Sequence, residues 1–519
     1  MPARVAIPAV LGVALALTAW LIGAATSGAV HRSSPQAKPP NIVLIRTDDQ
    51  TAAQLNASVM PETTRLLVDR GTRFTQALVA TPQCCPSRAA TLTGQYGHNN
   101  GVTSNFPGYP DLRHKGNTLP VWLREAGYRT AHVGKYLNGY TSVADRPDVA
   151  PGWDIWATVP GGASRYYDYA MSVNGRLLHF GHAAADNVTS VLNRKAKRIV
   201  ARYGDARKPL FLQLDERAPH AADGLTKGRC TDKSPQPVPR DLDRFSDEPL
   251  PQPPSFNEAD MSDKPPFLRR PELDADRIAR IGLHYQCSLA SLSGVDRGVR
   301  RIFEAFRKLN AIRRTVFIFT SDNGFFRGEH RIGAGKSLSY EESIRVPLVV
   351  RLPGPYRRRA PRVAEVSRPV ANIDLAPTIL ALAGADPCRA NRCRTMDGRS
   401  LLPLLRGKHP RWSRNRGILT EYSNLDRPRD KVCAYSGLRL ARRMYVEYSS
   451  VAQPGQGCQP ADGRELYELH SDPFELENVA DRPDHQAEVA KLSERLARLR
   501  KCAGIAGRDR RVGRHPFCE

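Results

Sequence analysis

Asn41-Ile42-Val43-Leu44-Ile45-Arg46-Thr47-Asp48-Asp49-Gln50 reads as a short buried strand that runs directly into a polar cluster. An apolar run of this length without polar alternation suits a strand inside a sheet rather than a surface one. Similar runs recur from Arg129 to Val133, Leu210 to Leu214, Thr315 to Thr320 and Val346 to Arg351. Helical patterns lie between several of them. One places Val295, Val299, Ile302, Phe303, Phe306 and Leu309 on a single stripe just before the Thr315 run. This alternation predicts an α/β domain built on a largely parallel sheet covered by helices. Ligands of such sheets bind beyond the carboxyl ends of the strands, so the polar residues just past each strand become the candidates for chemistry.

The chain of 519 residues is long enough for a large domain and a smaller appended one. The segment from Ala221 to Pro271 is rich in Pro, Asp and Lys and has no periodicity, so it reads as a long insertion over the domain surface. From about Gly417 the pattern changes to short extended stretches such as Arg443 to Tyr448, then to a charged helical segment from His485 to Leu499. This predicts a small second α+β unit. The Arg-rich stretch from Arg508 to Arg514 reads as solvated surface.

Residues 5 to 25 form an almost unbroken apolar run behind Arg4, with the small residues Ser27, Gly28 and Ala29 after it. That is export chemistry, either a signal peptide cleaved near Ala29 or an uncleaved anchor. The expected organisation is a signal peptide or anchor over 1–29, a linker over 30–39, a main domain over 40–416 and a C-terminal α+β subdomain with a basic tail over 417–519. The protein is expected to be exported, then secreted or held at the cell surface.

Lys and Arg total 77 against 52 Asp and Glu, a net charge of +25 that favours encounter with anionic partners. No zinc-finger spacing or stacking-aromatic motif accompanies the charge, so nucleic acid is not the expected partner. Ten cysteines in an exported chain suggest disulfides. Cys388 with Cys393, Cys433 with Cys458, and Cys502 with Cys518 are neighbours that would each close a short loop. Cys230 and Cys287 would then pair across a longer one, leaving Cys84 and Cys85 unpaired.

Those two open the most informative segment, Cys84-Cys85-Pro86-Ser87-Arg88, continued by Ala89, Ala90, Thr91, Leu92, Thr93 and Gly94. It resembles the signature of the sulfatase family, Cys-x-Pro-Ser-Arg with Thr-Gly after a short spacer. The resemblance continues through Arg345-Val346-Pro347, Asn372-Ile373-Asp374-Leu375-Ala376-Pro377-Thr378 and the segment from Leu466 to Pro473, so it spans roughly residues 40 to 480. It implies an alkaline-phosphatase-like α/β fold with a large mixed, mostly parallel sheet. It also implies that a formylglycine-generating enzyme oxidises Cys84, not Cys85, during maturation. Pro86 and Ser87 look like the opening of a helix, which would put position 84 near the end where anions are favoured. The aldehyde hydrates to a geminal diol, one hydroxyl of which can attack sulfur while the other later expels sulfate.

Asp48, Asp49, Asp322 and Asn323 offer only oxygen ligands, which suits a hard cation. Calcium is the expected ion and magnesium the second choice, with the modified Cys84 as a further ligand whose hydroxyl the metal activates; the matched family positions bind calcium. Adjacent Asp pairs and Asp-Asn-Gly sequences are also common in turns for local reasons, and it is their joint placement after buried strands that favours a metal. Fixed cations are needed for the sulfate oxygens and the leaving group, and Arg88, Lys135 and Lys336 are placed to supply them. His220 matches a family histidine at the sulfate site and is expected to help Lys336 protonate the leaving oxygen.

Two departures qualify the resemblance. Many arylsulfatases carry a histidine two residues after the lysine matched by Lys135, where this chain has Leu137 and then Asn138. Glu216 and Arg217 stand before Ala218-Pro219-His220, altering the usual His-x-x-Pro-His stretch. The Lys-Tyr-Leu-Asn form is closer to the glucosamine-6-sulfatase and heparan-sulfate endosulfatase branch, with Asn138 as a substrate contact. The expected substrate is an O-sulfated sugar or a glycosaminoglycan-like polymer. The rival readings are a broad arylsulfatase, a phosphate or phosphonate ester hydrolase on the same fold, and a catalytically silent binder of sulfated glycans.

Overall fold

The computed structural model describes residues 39–519 apart from 141–148, 161–164, 224–228, 231–232, 359, 391, 426–430, 507–509, 512–517 and 519. The apolar run at 5–25, the linker up to residue 38 and most of the Arg508 to Arg514 tail lie outside the described residues. No helix among the described residues is long and apolar enough to cross a membrane.

The strand Asn41–Thr47 sits inside the main sheet, paired in parallel with Leu210–Asp215 on one side and Thr315–Ser321 on the other. Alternation of side chains along a strand sends successive residues to opposite faces. Ile42 and Leu44 accordingly enter one apolar core, and Val43 and Ile45 the other. Both faces are covered, which is why the strand reads as a continuous apolar run. The helices Cys84–Thr93, Leu119–Glu125 and Leu375–Ala383 fill the first core, whereas Val188–Tyr203 and Ala275–Lys308 fill the second.

Ten strands make up this sheet, in the order Glu365–Val366, Thr72–Phe74, Leu348–Arg351, Thr315–Ser321, Asn41–Thr47, Leu210–Asp215, Arg129–Lys135, Ile155–Val159, Tyr169–Val173 and Arg176–Phe180. The centre is parallel, as expected, and the flanks are mixed. The run expected from Val346 becomes a strand only at Leu348, after Pro347, and it pairs antiparallel to the Thr315 strand. Pro347 has no N–H to give the ladder, so the strand begins beyond it.

The C-terminal part is a four-stranded antiparallel sheet of Ile418–Ser423, Val432–Arg439, Met444–Gln453 and Gly457–Tyr467. The helix Gln486–Leu499 comes after it and buries Val489, Leu492, Leu496 and Leu499, a stripe at helical spacing. Its apolar residues belong to the same core as the Cys84 helix. The four disulfides join the pairs expected from spacing, and Cys84 and Cys85 are free and buried. The Ala221 to Pro271 insertion does more than cover the surface: Ser255, Glu258 and Lys264 are buried within it.

Candidate active site

Parallel pairing in register puts Thr47 beside Ser321, so the two strands end together. Asp48 and Asp49 therefore emerge next to Asp322 and Asn323, all four buried. The Asp49 N–H donates to Asp322 Oδ1 at 3.2 Å and Asn323 Nδ2 to Asp49 Oδ1 at 2.6 Å. Asp49 holds φ at 68°, a left-handed conformation that Asp tolerates better than most residues. The helix Cys84–Thr93 starts at this place and ends at Gly94, whose φ of 67° suits a left-handed cap. Cys84 is thus at the amino end of a helix, as the sequence suggested. Its thiol donates to Asp48 Oδ1 at 3.3 Å, and Lys336 Nζ donates to its sulfur at 2.9 Å.

Three cations answer the carboxylates. Arg88, one turn along the helix, contacts Asp322 Oδ2 at 2.7 Å and Asp48 Oδ2 at 3.3 Å. Lys135, at the end of the Arg129 strand, reaches Asp48 Oδ2 at 2.5 Å, and Lys336 pairs with Asp49 Oδ1. Burial opposes ionisation of Asp48, but Lys135, His220 and Arg88 hold its carboxyl well below the usual range. Burial and the charge of Asp48 push the Cys84 thiol up to about 12, so it is neutral near pH 7. His220 Nε2 lies 3.8 Å from Asp49 Oδ2 and its Nδ1 is 2.6 Å from the Ala221 carbonyl oxygen. Burial outweighs Asp48 and Asp49 and brings this imidazole down to about 4.

The sequence-chosen residues thus converge on one place. Cys84, Lys135, Asn138, His220 and Lys336 line a cleft of about 500 Å³ together with Asp49, while Arg88, Asp48, Asp322 and Asn323 lie beneath it. Asn138 lines the cleft with its Oδ1 buried, and its backbone carbonyl accepts from the Cys85 thiol at 3.8 Å.

The chain matches the family model described as Sulfatase over residues 40–385. It belongs to the sulfatase family. The C-terminal model of N-sulphoglucosamine sulphohydrolase matches residues 328–502 of this sulfatase-family chain. An extracellular Sulf-1 homologue of Caenorhabditis elegans is 35% identical over 70% of the chain, and the chain spans 49% of that relative's length. N-acetylglucosamine-6-sulfatase of Homo sapiens is 30% identical over 90% of the chain and 85% of its own. A solved enzyme in complex with its substrate D-glucosamine-2-N,6-O-disulfate shares the alkaline-phosphatase-like α/β fold, with a TM-score of 0.68, 23% identity and coverage of 89% of this chain and 97% of that one.

Sequence reasoning missed two sets of residues in this sulfatase-family site. Asp215, last in the Leu210 strand, takes Arg46 at 2.8 and 3.0 Å and His132 Nε2 at 3.0 Å, all three buried beneath the cleft. Polar residues inside a central strand were the available signal. The second set is a brace at the mouth. Gln83 Nε2 donates to Ser337 Oγ at 3.0 Å, Gln83 Oε1 accepts from the Asn105 N–H at 3.0 Å, and Asn105 Oδ1 accepts from the Cys85 N–H at 2.9 Å. It ties the start of the Cys84 helix to the loop that carries Lys336. Nothing in the sequence spacing linked these three segments.

Proposed function

We propose that this chain hydrolyses the O-sulfate ester of a sulfated sugar of the glucosamine 6-sulfate class. The observation that carries the reading is the meeting of Cys84 with Asp48 and Lys336 at the ends of two central strands. The human N-acetylglucosamine-6-sulfatase and the glucosamine-disulfate complex support the choice of sugar. The N-terminal apolar run and four disulfides support export. The pattern change at Gly417 supports a division into a catalytic part over 40–416 and an α+β subdomain over 417–519.

The residues fit both of the groups that this reading requires. Asp48, Asp49, Asp322 and Asn323 present oxygen alone, and Asn323 Oδ1 is buried without a hydrogen-bond partner. We assign these four to a calcium ion, with magnesium second, which would supply a positive field for the nucleophile and the sulfate oxygens. A neutral buried thiol is a poor nucleophile, which supports maturation of Cys84 to formylglycine, whose hydrate would supply a hydroxyl for attack on sulfur.

The chain's own residues do the remainder. Lys135 and Lys336 flank the opening and bind the sulfate oxygens, while Arg88 fixes Asp48 and Asp322 in place from below. Lys336 carries its proton at Nζ: burial opposes the charge, but Asp49 raises its pKa above the usual lysine range. His220 Nδ1 donates to the Ala221 carbonyl, which leaves Nε2 toward the cleft. Lys336 and His220 together protonate the leaving sugar oxygen, His220 taking up its proton as the anionic ester enters. Asn138, in the cleft lining, orients the sugar.

Intact and peptide mass spectrometry of protein from its own host tests this directly. The expected result is a loss of roughly 18 Da at the Cys84 peptide, with turnover of a 6-O-sulfated glucosamine. Active protein with an unmodified Cys84 would overturn the mechanism and put phosphate or phosphonate ester hydrolysis ahead. Matched sulfate and phosphate esters then separate the two, because the phosphate monoester carries nearly one more negative charge.

A further inference from the structure

Beyond the strand-end site, the loop that carries Lys336 leads past a second cluster. His330, Glu342 and Glu475 each turn a potential ligand atom into one buried space, and the three atoms lie within 4.8 Å of one another. His330 and Glu475 are 1% and 0% exposed. His330 Nε2, Glu342 Oε2 and Glu475 Oε1 are buried and make no hydrogen bond. Leaving three such atoms unsatisfied costs roughly 1 to 3 kcal/mol each, so the cluster calls for something between them.

The surroundings are built as for a metal-binding histidine. Glu258 Oε2 sits 2.7 Å from His330 Nδ1, a contact that favours the proton on that nitrogen, and Nε2 faces Glu342 Oε2. Lys264 Nζ holds the other oxygen of Glu258 at 2.9 Å. Tyr340 stacks on the imidazole with ring centroids 4.1 Å apart, fixing its plane. Glu475 Oε2 accepts the Glu341 N–H at 2.8 Å and Glu342 Oε1 accepts the Ser255 hydroxyl at 3.1 Å, so each carboxylate is anchored by one oxygen and presents the other.

We propose that His330, Glu342 and Glu475 form a second metal centre, for a divalent first-row transition ion of the zinc class. One imidazole and two carboxylates balance a 2+ ion. A mixed nitrogen and oxygen set selects zinc over calcium, in contrast with the oxygen-only set at the strand ends. His330 Nε2 and Glu342 Oε2 are 3.7 Å apart, close to the separation of about 3.4 Å for two donors on a tetrahedral zinc. The ion would pin three segments together: the turn at His330, the short helix Glu341–Ile344 and the stretch after the last strand of the C-terminal sheet. Lys336 lies between the first two, so its position rests on this clasp.

The test uses the full chain, stripped with a chelator, dialysed against zinc and analysed for metal content. Asp322→Asn serves as the background, to lower uptake at the strand ends. Wild-type and Asp322→Asn protein are expected to hold about one zinc per chain more than the matching proteins that carry Glu475→Gln. The zinc-edge absorption spectrum of Asp322→Asn protein should then show one imidazole in an otherwise oxygen shell. Equal zinc content with and without Glu475→Gln would overturn the proposal and leave a shared proton as the neutralising species. If circular dichroism shows that Glu475→Gln does not fold, the half-buried Glu342→Gln answers the same question. Failure of the sulfatase reading would show at the Cys84 peptide and would leave these zinc counts unchanged.

Discussion

Two acidic clusters flank the loop that carries Lys336, and their charges are met differently. At the strand ends Asp48, Asp49 and Asp322 are met by Arg88, Lys135 and Lys336, and the group opens into a cleft. Further along, Glu342 and Glu475 share a space with His330, and Lys264 pairs with the outlying Glu258 and Asp263. The first cluster has cations of its own and access for an anionic substrate. In the second the facing atoms are buried, and the group that meets its carboxylates is the imidazole of His330, 3.7 Å from Glu342. The difference teaches that burying carboxylates does not make a reaction site; cations placed where an incoming anion can reach them do.

The sharpest way to break the comparison is to remove the reacting position. Cys84→Ala should lower turnover of a 6-O-sulfated glucosamine by at least about 1000-fold, the scale of losing a nucleophile. Thermal unfolding should barely move, and an active variant would refute the assignment. Lys336→Ala comes next, with a loss of about 100-fold to 1000-fold in kcat, as for other single groups that stabilise transition-state charge.

Arg88→Ala tests charge matching as stability. It leaves Asp48, Asp322 and Asp215 facing one another without their shared cation, and unfolding in denaturant should show a loss of about 3 to 5 kcal/mol. A loss under about 1 kcal/mol would mean the carboxylates are neutralised by other means. Chelation should abolish activity, with calcium restoring it. Calcium at 100 times its dissociation constant should add about 2.7 kcal/mol to stability, read as a rise in Tm.

The smallest effect separates two neighbours. Burial raises the pKa of Asp215, but Arg46, His132 and Arg88 outweigh it and hold the group below the usual carboxylate range. Glu216 has no hydrogen-bond partner at either oxygen, and burial with the adjacent Asp215 charge pushes it up to about 8. A raised carboxyl favours folding while protonated, so its contribution is complete below about pH 4.5 and is lost as pH rises through about 8. Glu216→Gln should therefore match wild type at pH 4 and gain on the order of 1 to 3 kcal/mol by pH 8.5, measured by urea unfolding. A gain independent of pH would sink this account.

Much of this was legible because it is local. The Asn41 and Thr315 strands announced themselves as apolar runs, and the polar residues next to each strand in sequence, Asp48 and Asp322 among them, are also next to it in space. Cysteine spacing carried three of the disulfides for the same reason, and Cys230 with Cys287 followed as the longer remaining pair. The direction of the Leu348 strand was not legible, since an antiparallel strand has the same composition as a parallel one. Nor was the Asp215, Arg46 and His132 network, which joins three strands through side chains that each sequence window shows alone. Glu258 and Lys264 lie in a stretch without periodicity, and their burial comes from partners far along the chain. The candidate site was readable because its residues cluster in motifs; its supports were not, because they are dispersed.

Cys84 is 2% exposed and already built into the first turn of its helix. A maturation enzyme of the kind proposed, which would have to grip the segment from Cys84 to Arg88, would find all five residues buried once that helix has packed. On the proposed maturation, oxidation at this position would have to precede the packing of that helix, which makes it a step in the biogenesis of the chain. Folding too early would strand the protein permanently in an immature state, with every later residue correctly in place.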